Sequence, residues 1–112
     1  MTTERDVIAL EEQAYNTLDA SERRHLLQAF VRDLDKLSHH AEFDAIAVKR
    51  IAALHERIKL EKELMARLKR EGADTADVFF LLITLKTVQA LWAEKRALAR
   101  KVVVCIIPGR PS

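Results

Sequence analysis

The sequence predicts an all-α protein, and three observations carry that prediction. The chain of 112 residues contains only four helix breakers: Gly72, Pro108, Gly109 and Pro111. Its first 71 residues therefore lack the glycine and proline that the frequent tight turns of an all-β domain require. Apolar residues recur at helical spacing, and a composition of 49% hydrophobic and 32% charged residues is typical of a packed globule. We expect an oligomeric antiparallel bundle of three or four helices over residues 1–107, followed by a disordered tail over 108–112.

The first helix is predicted from a capping signal and a short apolar stripe. Thr3 and Asp6 resemble a capping box. An apolar stripe then follows at helical spacing: Val7, Leu10, Ala14 and Leu18. The helix is therefore expected to end near Leu18.

The second helix has a stronger apolar stripe, which follows a cap signal at Asp19. Its members recur every three or four residues: Leu26, Leu27, Phe30, Val31, Leu34 and Leu37. Asp19 and Ser21 can also lie inside a helix at a modest cost in free energy. The pattern therefore allows either two separate helices or one bent helix.

The third helix is predicted over residues 42–71, after a turn at Ser38, His39 and His40. About 30 residues of helix span on the order of 45 Å. The apolar stripe of this helix is long: Phe43, Ala47, Ile51, Leu54, Ile58, Met65 and Leu68. Gly72 is typical of a helix stop. A last helix, capped by Asp74 and Asp77 and predicted over 75–104, would complete a long C-terminal hairpin.

The last helix combines a heptad-like core register with apolar residues outside it. The register has five members: Val78, Leu81, Leu85, Val88 and Trp92. Leu82, Leu91 and Leu98 are expected to widen this apolar side of the helix. Phe79, Phe80 and Ile83 make its first turns apolar on every side, and such a helix has to be covered on every side. We therefore expect an interface at both ends of this helix: Phe79, Phe80, Ile83, Val103 and Ile106.

Residues 102–107 are apolar and mostly β-branched, which permits two conformations. Either the last helix continues through them, or they form a strand that pairs with another chain. Helix is the favoured alternative because a lone strand has no partner for its backbone groups. In both cases this end of the chain is apolar.

Charge is divided unequally along the chain. Residues 1–44 hold ten acidic and five basic residues, whereas residues 45–112 hold seven acidic and fourteen basic residues. These balances of −5 and +7 would suit either docking of the two halves or a basic face for an acidic partner. The candidate phosphate contacts are Lys86, Lys95, Arg96 and Arg100. They support a second hypothesis, a basic helical regulator or subunit that binds nucleic acid.

Metal and catalytic motifs give no comparable signal. His39 and His40 are adjacent, so on a helix they would point about 100° apart and would not converge on one ion. Glu22 and His25 match half of a di-iron motif, which needs a second Glu-x-x-His elsewhere. No glycine-rich phosphate loop or nucleophile elbow fits the two glycines. We expect no catalytic residue, metal, cofactor or small-molecule substrate, and we do not expect an enzyme.

Two pairs of residues give a third hypothesis. Arg32 precedes His39 by seven positions, and Arg50 precedes His55 by five. This spacing resembles the motif of the HEPN ribonucleases, all-α proteins that pair such a motif across a dimer. The resemblance covers only these two pairs. It implies RNA cleavage, which we rank below simple binding.

The N-terminal sequence and the hydropathy pattern predict a cytoplasmic protein. The start has no apolar core after a basic stretch, so no signal peptide is expected. The longest apolar run, Val78 to Leu85, has eight residues, whereas a membrane span needs about 20. Cys105 is the only cysteine and cannot form an intrachain disulfide. We therefore expect no membrane association.

The functional hypothesis that fits these patterns best is a non-enzymatic protein–protein interaction module. Such a protein would act as an adaptor, a chaperone-like binder or a small regulator. Its partner would be another protein or a second copy of the chain in a homodimer. The expected contact is an amphipathic helix in a groove or a helix that completes the bundle, and coiled-coil packing is expected between helices.

Overall fold

The computed structural model describes residues 2–106, with side chains described over residues 2–100. Over this range the chain is all-helical, as predicted, and contains no strand. Its four helices are α1 (Glu4–Asn16), α2 (Ala20–Leu37), α3 (Phe43–Arg70) and α4 (Ala76–Ile106). The tail predicted over 108–112, and Ile107 before it, lie outside the described residues.

The structure separates α1 from α2, which the sequence left open. The Thr3 hydroxyl accepts a hydrogen bond from the Asp6 amide at 3.3 Å, and the Asp6 carboxylate accepts one from the Thr3 amide at 2.9 Å. Asp19 caps α2 by accepting a hydrogen bond from the Ser21 amide at 2.9 Å. α1 ends at Asn16, two residues before Leu18, because Thr17 is extended. Leu18 consequently leaves the helical register and is 74% exposed.

The turn between α3 and α4 follows the predicted stop signal. Gly72 has a φ of 70°, a conformation that favours glycine. The Ala73 amide donates to the Leu68 carbonyl at 2.9 Å, which closes the end of α3. Asp74 then accepts a hydrogen bond from the Ala76 amide at 2.9 Å. From there α4 continues through Ile106, so the helical alternative for residues 102–106 is confirmed and the strand is excluded there.

All four helices contribute to one core centred on Trp92, which is fully buried. The ring of Phe43 stacks on Trp92 with a centroid distance of 5.9 Å and an interplanar angle of 15°. Phe30 meets Trp92 edge-on at 6.1 Å and 63°. Aromatic pairs in these geometries add about 0.5–1.5 kcal/mol beyond the area they bury. The core therefore fixes α2, α3 and α4 to one another at this level.

The α3–α4 hairpin extends beyond the part that α1 and α2 cover. α1 and α2 have 13 and 18 residues, whereas α3 and α4 have 28 and 31. Ile58 and Leu82 are the last buried residues toward the hairpin turn, and no residue from 59 to 81 is buried. Leu60 is 62% exposed in this region. The shorter helices are thus too short to cover the whole hairpin.

Candidate functional site

One side of α4 is exposed along most of the helix, opposite the side that carries the buried Leu85, Val88 and Trp92. Exposed residues recur there at alternating intervals of four and three: Ala76, Phe80, Ile83, Thr87, Ala90, Glu94 and Ala97. We call these seven residues the outer seam. Phe79 and Leu98 border it, and we call the outer seam together with these two residues the outer face. Phe79, Phe80, Ile83 and Leu98 are each 47–50% exposed.

The outer seam is almost free of charge, whereas the exposed side of a soluble helix is normally polar. Glu94 is its only charged residue. The Thr87 hydroxyl donates to the Ile83 carbonyl at 2.8 Å, so this polar group is satisfied within its own helix. The exposed residues of α3 between 59 and 70 differ in being mostly charged: Lys59, Lys62, Glu63, Arg67, Lys69 and Arg70. The apolar exposure is therefore a property of α4.

Phe79 and Phe80 form an aromatic pair at the N-terminal end of the outer face. Their rings meet edge-to-face with centroids 5.8 Å apart and an interplanar angle of 67°. The guanidinium carbon of Arg23 on α2 lies 5.9 Å from the Phe80 centroid. These contacts hold the rings in place while leaving about half of each exposed. Ordered aromatic side chains of this kind are common anchors in protein interfaces.

The five predicted interface residues fall into two groups, according to whether the structure describes their side chains. Phe79, Phe80 and Ile83 lie on the outer face. Val103 lies within α4 and Ile106 is its last residue, but their side chains are outside the described residues. Leu98 was expected to widen the core side of α4, and this was wrong, because it lies on the outer face and is 48% exposed.

The outer seam as a whole was not recognised in the sequence. Its signal is a second heptad repeat alongside the core register. Ala90 and Ala97 are only weakly hydrophobic, so the repeat can be recognised only from the intervals between its members.

The predicted phosphate contacts are partly engaged within the molecule. Lys95 Nζ lies 2.8 Å from Asp35 Oδ1, and Arg96 Nε lies 2.8 Å from Asp44 Oδ1. Lys86 and Arg100 are exposed. Every salt bridge among the described side chains joins an acid from residues 1–44 to a base from 45–112. The charge asymmetry of the sequence thus contributes to docking of the two halves, and nucleic-acid binding stays a prediction.

A buried carboxylate connects three helices and was not predicted. Glu11 of α1 is fully buried, and its carboxylate accepts hydrogen bonds from the Arg50 guanidinium, the Trp92 indole and, at 3.1 Å, the Tyr15 hydroxyl. Burial and the neighbouring Glu11 raise the pKa of Tyr15. The guanidinium carbon of Arg57 lies 4.9 Å from the Tyr15 ring centroid. The cluster anchors α1 to α3 and α4, and its one sequence signal is a carboxylate within the apolar stripe of α1.

The remaining candidate residues do not converge. In the part of the chain with described side chains, no group of three or more histidine, cysteine or acidic side chains could hold a metal ion. Arg32, His39 and His55 are exposed. Arg50 instead bonds to Glu11 inside the molecule. The two arginine–histidine pairs therefore occupy unlike environments, and RNA cleavage stays a prediction.

The length and composition of α4 also meet the requirement for a membrane span. Residues Ala76–Arg100 contain an 18-residue window with a mean hydropathy of 1.4, of which 28% is buried. A core helix of a soluble protein meets the same requirement, and α4 supplies Leu85, Val88 and Trp92 to the core. The expected cytoplasmic location and the absence of membrane association stay predictions.

No protein-family model matches this chain, and no curated protein or solved structure matches it significantly. Similarity to a known protein therefore assigns no function to any residue. The exposed chemistry of the chain itself is the basis for a functional proposal.

Proposed function

We propose that this protein is a non-enzymatic helical interaction module that binds another protein chain, itself included, through the outer face of α4. The observation that carries the proposal is the apolar, half-exposed strip from Ala76 to Leu98. In this proposal the four helices form an antiparallel bundle. The uncovered side of α4 then accepts one further helix.

The spacing of the outer seam favours a helical partner. Alternating intervals of four and three residues are those at which one helix inserts its side chains between those of another in a coiled coil. The strip from Ala76 to Leu98 is about 33 Å long at 1.5 Å per residue. A partner helix of similar length would therefore cover it along its whole extent.

The exposed area indicates what the partner must contribute. Four large side chains at about half exposure present roughly 360 Å² of apolar surface. At about 25 cal/mol per Å² its burial is worth about 9 kcal/mol. Association itself costs roughly 4–15 kcal/mol, so the outer face alone does not ensure tight binding. The partner needs a comparable apolar strip of its own, which an amphipathic helix supplies.

The test compares the wild-type protein with the variant Phe79→Glu/Ile83→Glu. Ala53→Glu is the control because Ala53 is exposed on α3, away from the outer face. Size-exclusion chromatography with light scattering measures self-association, and capture from the native host with mass spectrometry measures other partners. Circular dichroism checks that each variant keeps its helical content.

We expect the wild type and the Ala53→Glu control to associate with themselves or with a captured protein, and the outer-face variant to lose that association. Two results together would contradict the proposal: the wild-type protein is monomeric, and it captures the same proteins as the outer-face variant does.

A further inference from the structure

We propose that the partner is a second copy of this chain, with the two α4 helices packed antiparallel along their outer faces. This inference rests on the proposed function and identifies its partner. The N-terminal half of the outer face is bulky, with Phe79, Phe80 and Ile83, whereas its C-terminal half carries exposed alanines at positions 90 and 97 and one large residue, Leu98. Antiparallel packing brings the bulky half of each copy against the small half of the other. A parallel pair would set the aromatic rings against one another at one end and bring together only the small residues and Leu98 at the other.

Residues of the outer face that lie a whole number of helical turns apart define a register for the antiparallel pair. An axis of two-fold symmetry at residue 89 sets Phe80 of one copy opposite Leu98 of the other, and an axis at residue 90 sets Ile83 opposite Ala97. These two estimates differ by a single residue. Thr87 and Ala90 are then the residues at the crossing point, and both are small enough for two helices to approach closely. Because the Thr87 hydroxyl is bonded to its own helix, it needs no partner across the interface.

Charge along α4 favours the same orientation. Residues 74–85 contain Asp74 and Asp77 and no basic residue, whereas residues 86–100 contain four basic residues and one acid. Lys86 and Arg100, two of these bases, are exposed. Lys95 and Arg96 are paired with Asp35 and Asp44 of their own chain, so Arg100 is the base that antiparallel packing brings near Asp77 of the other copy. Parallel packing would instead set Asp77 beside Asp77 and Arg100 beside Arg100.

The available area suits a pair of identical faces. The four large side chains of each copy present roughly 360 Å², so a dimer buries about 700 Å² from them alone. The exposed alanines, Thr87 and the stem of Lys86 add further area toward the ~1,000 Å² that a specific interface requires. A second copy thus supplies the apolar strip that the outer face needs.

A lipid surface fits the outer face less well than a second copy does. Helices that lie on membranes carry lysine and arginine beside their apolar side. Here the first residues of α4 carry Asp77, and Glu94 lies within the outer seam itself. Insertion across a membrane would also remove Trp92 and Val88 from the core, in which both are fully buried.

Disulfide crosslinking tests the orientation directly. In a Cys105→Ser background, Ala90→Cys lies beside the proposed two-fold axis, and Ala76→Cys is the matched control at the far end of the outer seam. A disulfide needs Cα atoms within about 7 Å. We expect mild oxidation to give a disulfide dimer of the Ala90→Cys protein and none of the Ala76→Cys protein. An equimolar mixture of Phe80→Cys and Leu98→Cys proteins is expected to give the mixed dimer.

The alternative outcomes separate this inference from the proposed function. Equal crosslinking of Ala76→Cys and Ala90→Cys would indicate parallel helices and overturn the inference. Absence of any dimer, with capture of another protein that Phe79→Glu/Ile83→Glu abolishes, would overturn it and leave the proposed function standing. If the protein floats with phosphatidylcholine–phosphatidylglycerol vesicles and forms no crosslink, both this inference and the proposed function would be overturned. Circular dichroism checks the Cys105→Ser background, and Cys105→Val replaces it if helical content falls.

Discussion

The carboxylate of Glu11 on α1 accepts a hydrogen bond from the indole of Trp92 on α4, 81 positions further along the chain. Arg50 of α3 donates to the same carboxylate, as does Tyr15 of α1. A fully buried carboxylate is costly unless its oxygens are paired, and here three donors pair them. The cluster therefore fixes where α1 sits on the α3–α4 hairpin.

Glu11→Ala should destabilise the protein by roughly 3–5 kcal/mol, the typical cost of removing one partner from a buried ion pair. The substitution leaves Arg50 and the Trp92 indole without their acceptor. Urea unfolding followed by circular dichroism measures the change in the free energy of unfolding. Glu12→Ala is the control, because Glu12 is exposed on the same helix and should change stability by no more than about 0.5 kcal/mol. Equal losses in the two variants would contradict the anchoring role.

Tyr15 should stay protonated in the folded protein at pH values where an ordinary tyrosine ionises. Burial first, and then the Glu11 carboxylate, raise its pKa. Because the folded state retains this proton above pH ~10 and the unfolded state releases it, stability should fall as pH rises beyond that point. Tyr15 is the only tyrosine, so ultraviolet tyrosinate absorbance reports on it alone. Titration near pH ~10 in the native protein, as in denaturant, would show that Tyr15 lacks this environment.

Asp35 should titrate below its ordinary value of 3.8, because a hydrogen bond and the charge of Lys95 lower its pKa. The stabilisation that follows is present above the unfolded pKa and is lost as pH falls through the folded pKa. Carboxyl carbon NMR of Lys95→Met should show the Asp35 pKa rising toward 3.8. Lys86→Met, at an exposed lysine of the same helix, should leave it unchanged. An Asp35 pKa that is the same in both variants would rule out the contact.

Gly72→Ala should destabilise the protein by about 1–2 kcal/mol, the typical cost of a left-handed conformation for a residue with a Cβ atom. Gly72 has a φ of 70°, and an added Cβ would meet no atom within 4 Å, so the cost arises from the backbone. Thermal unfolding with Ala73→Gly as a neighbouring control measures it. A Gly72→Ala protein as stable as the wild type would mean that the turn relaxes freely.

Features encoded locally could be predicted from the sequence, whereas those that depend on a distant partner could not. Thr3, Asp19 and Gly72 set helix ends through neighbouring backbone groups, and the structure confirms all three. Leu98 was predicted on the wrong side of α4, because the sequence of a largely apolar helix does not reveal which side of that helix another helix covers. Glu11 was missed because its partners Arg50 and Trp92 lie 39 and 81 positions away.

The candidate surface was predicted only in part. Phe79, Phe80 and Ile83 were identified because a run of large apolar residues leaves a helix without a polar side. The alanines that continue the outer seam are common in helices of every kind, so their presence in the sequence does not indicate an interface. They become meaningful only once the opposite side of α4 is known to be buried.

The most direct measurement of whether a second copy covers the outer face is methyl NMR of isoleucine-labelled protein over a dilution series. The Ile83 methyl signal should shift progressively as concentration rises, because this side chain is 47% exposed in the single chain and covered in the dimer. The Ile58 methyl is the internal control, since Ile58 is only 6% exposed within the core and should not shift. An Ile83 signal that stays as constant as that of Ile58 up to millimolar concentration, in protein that light scattering shows to be monomeric, would contradict self-association through α4.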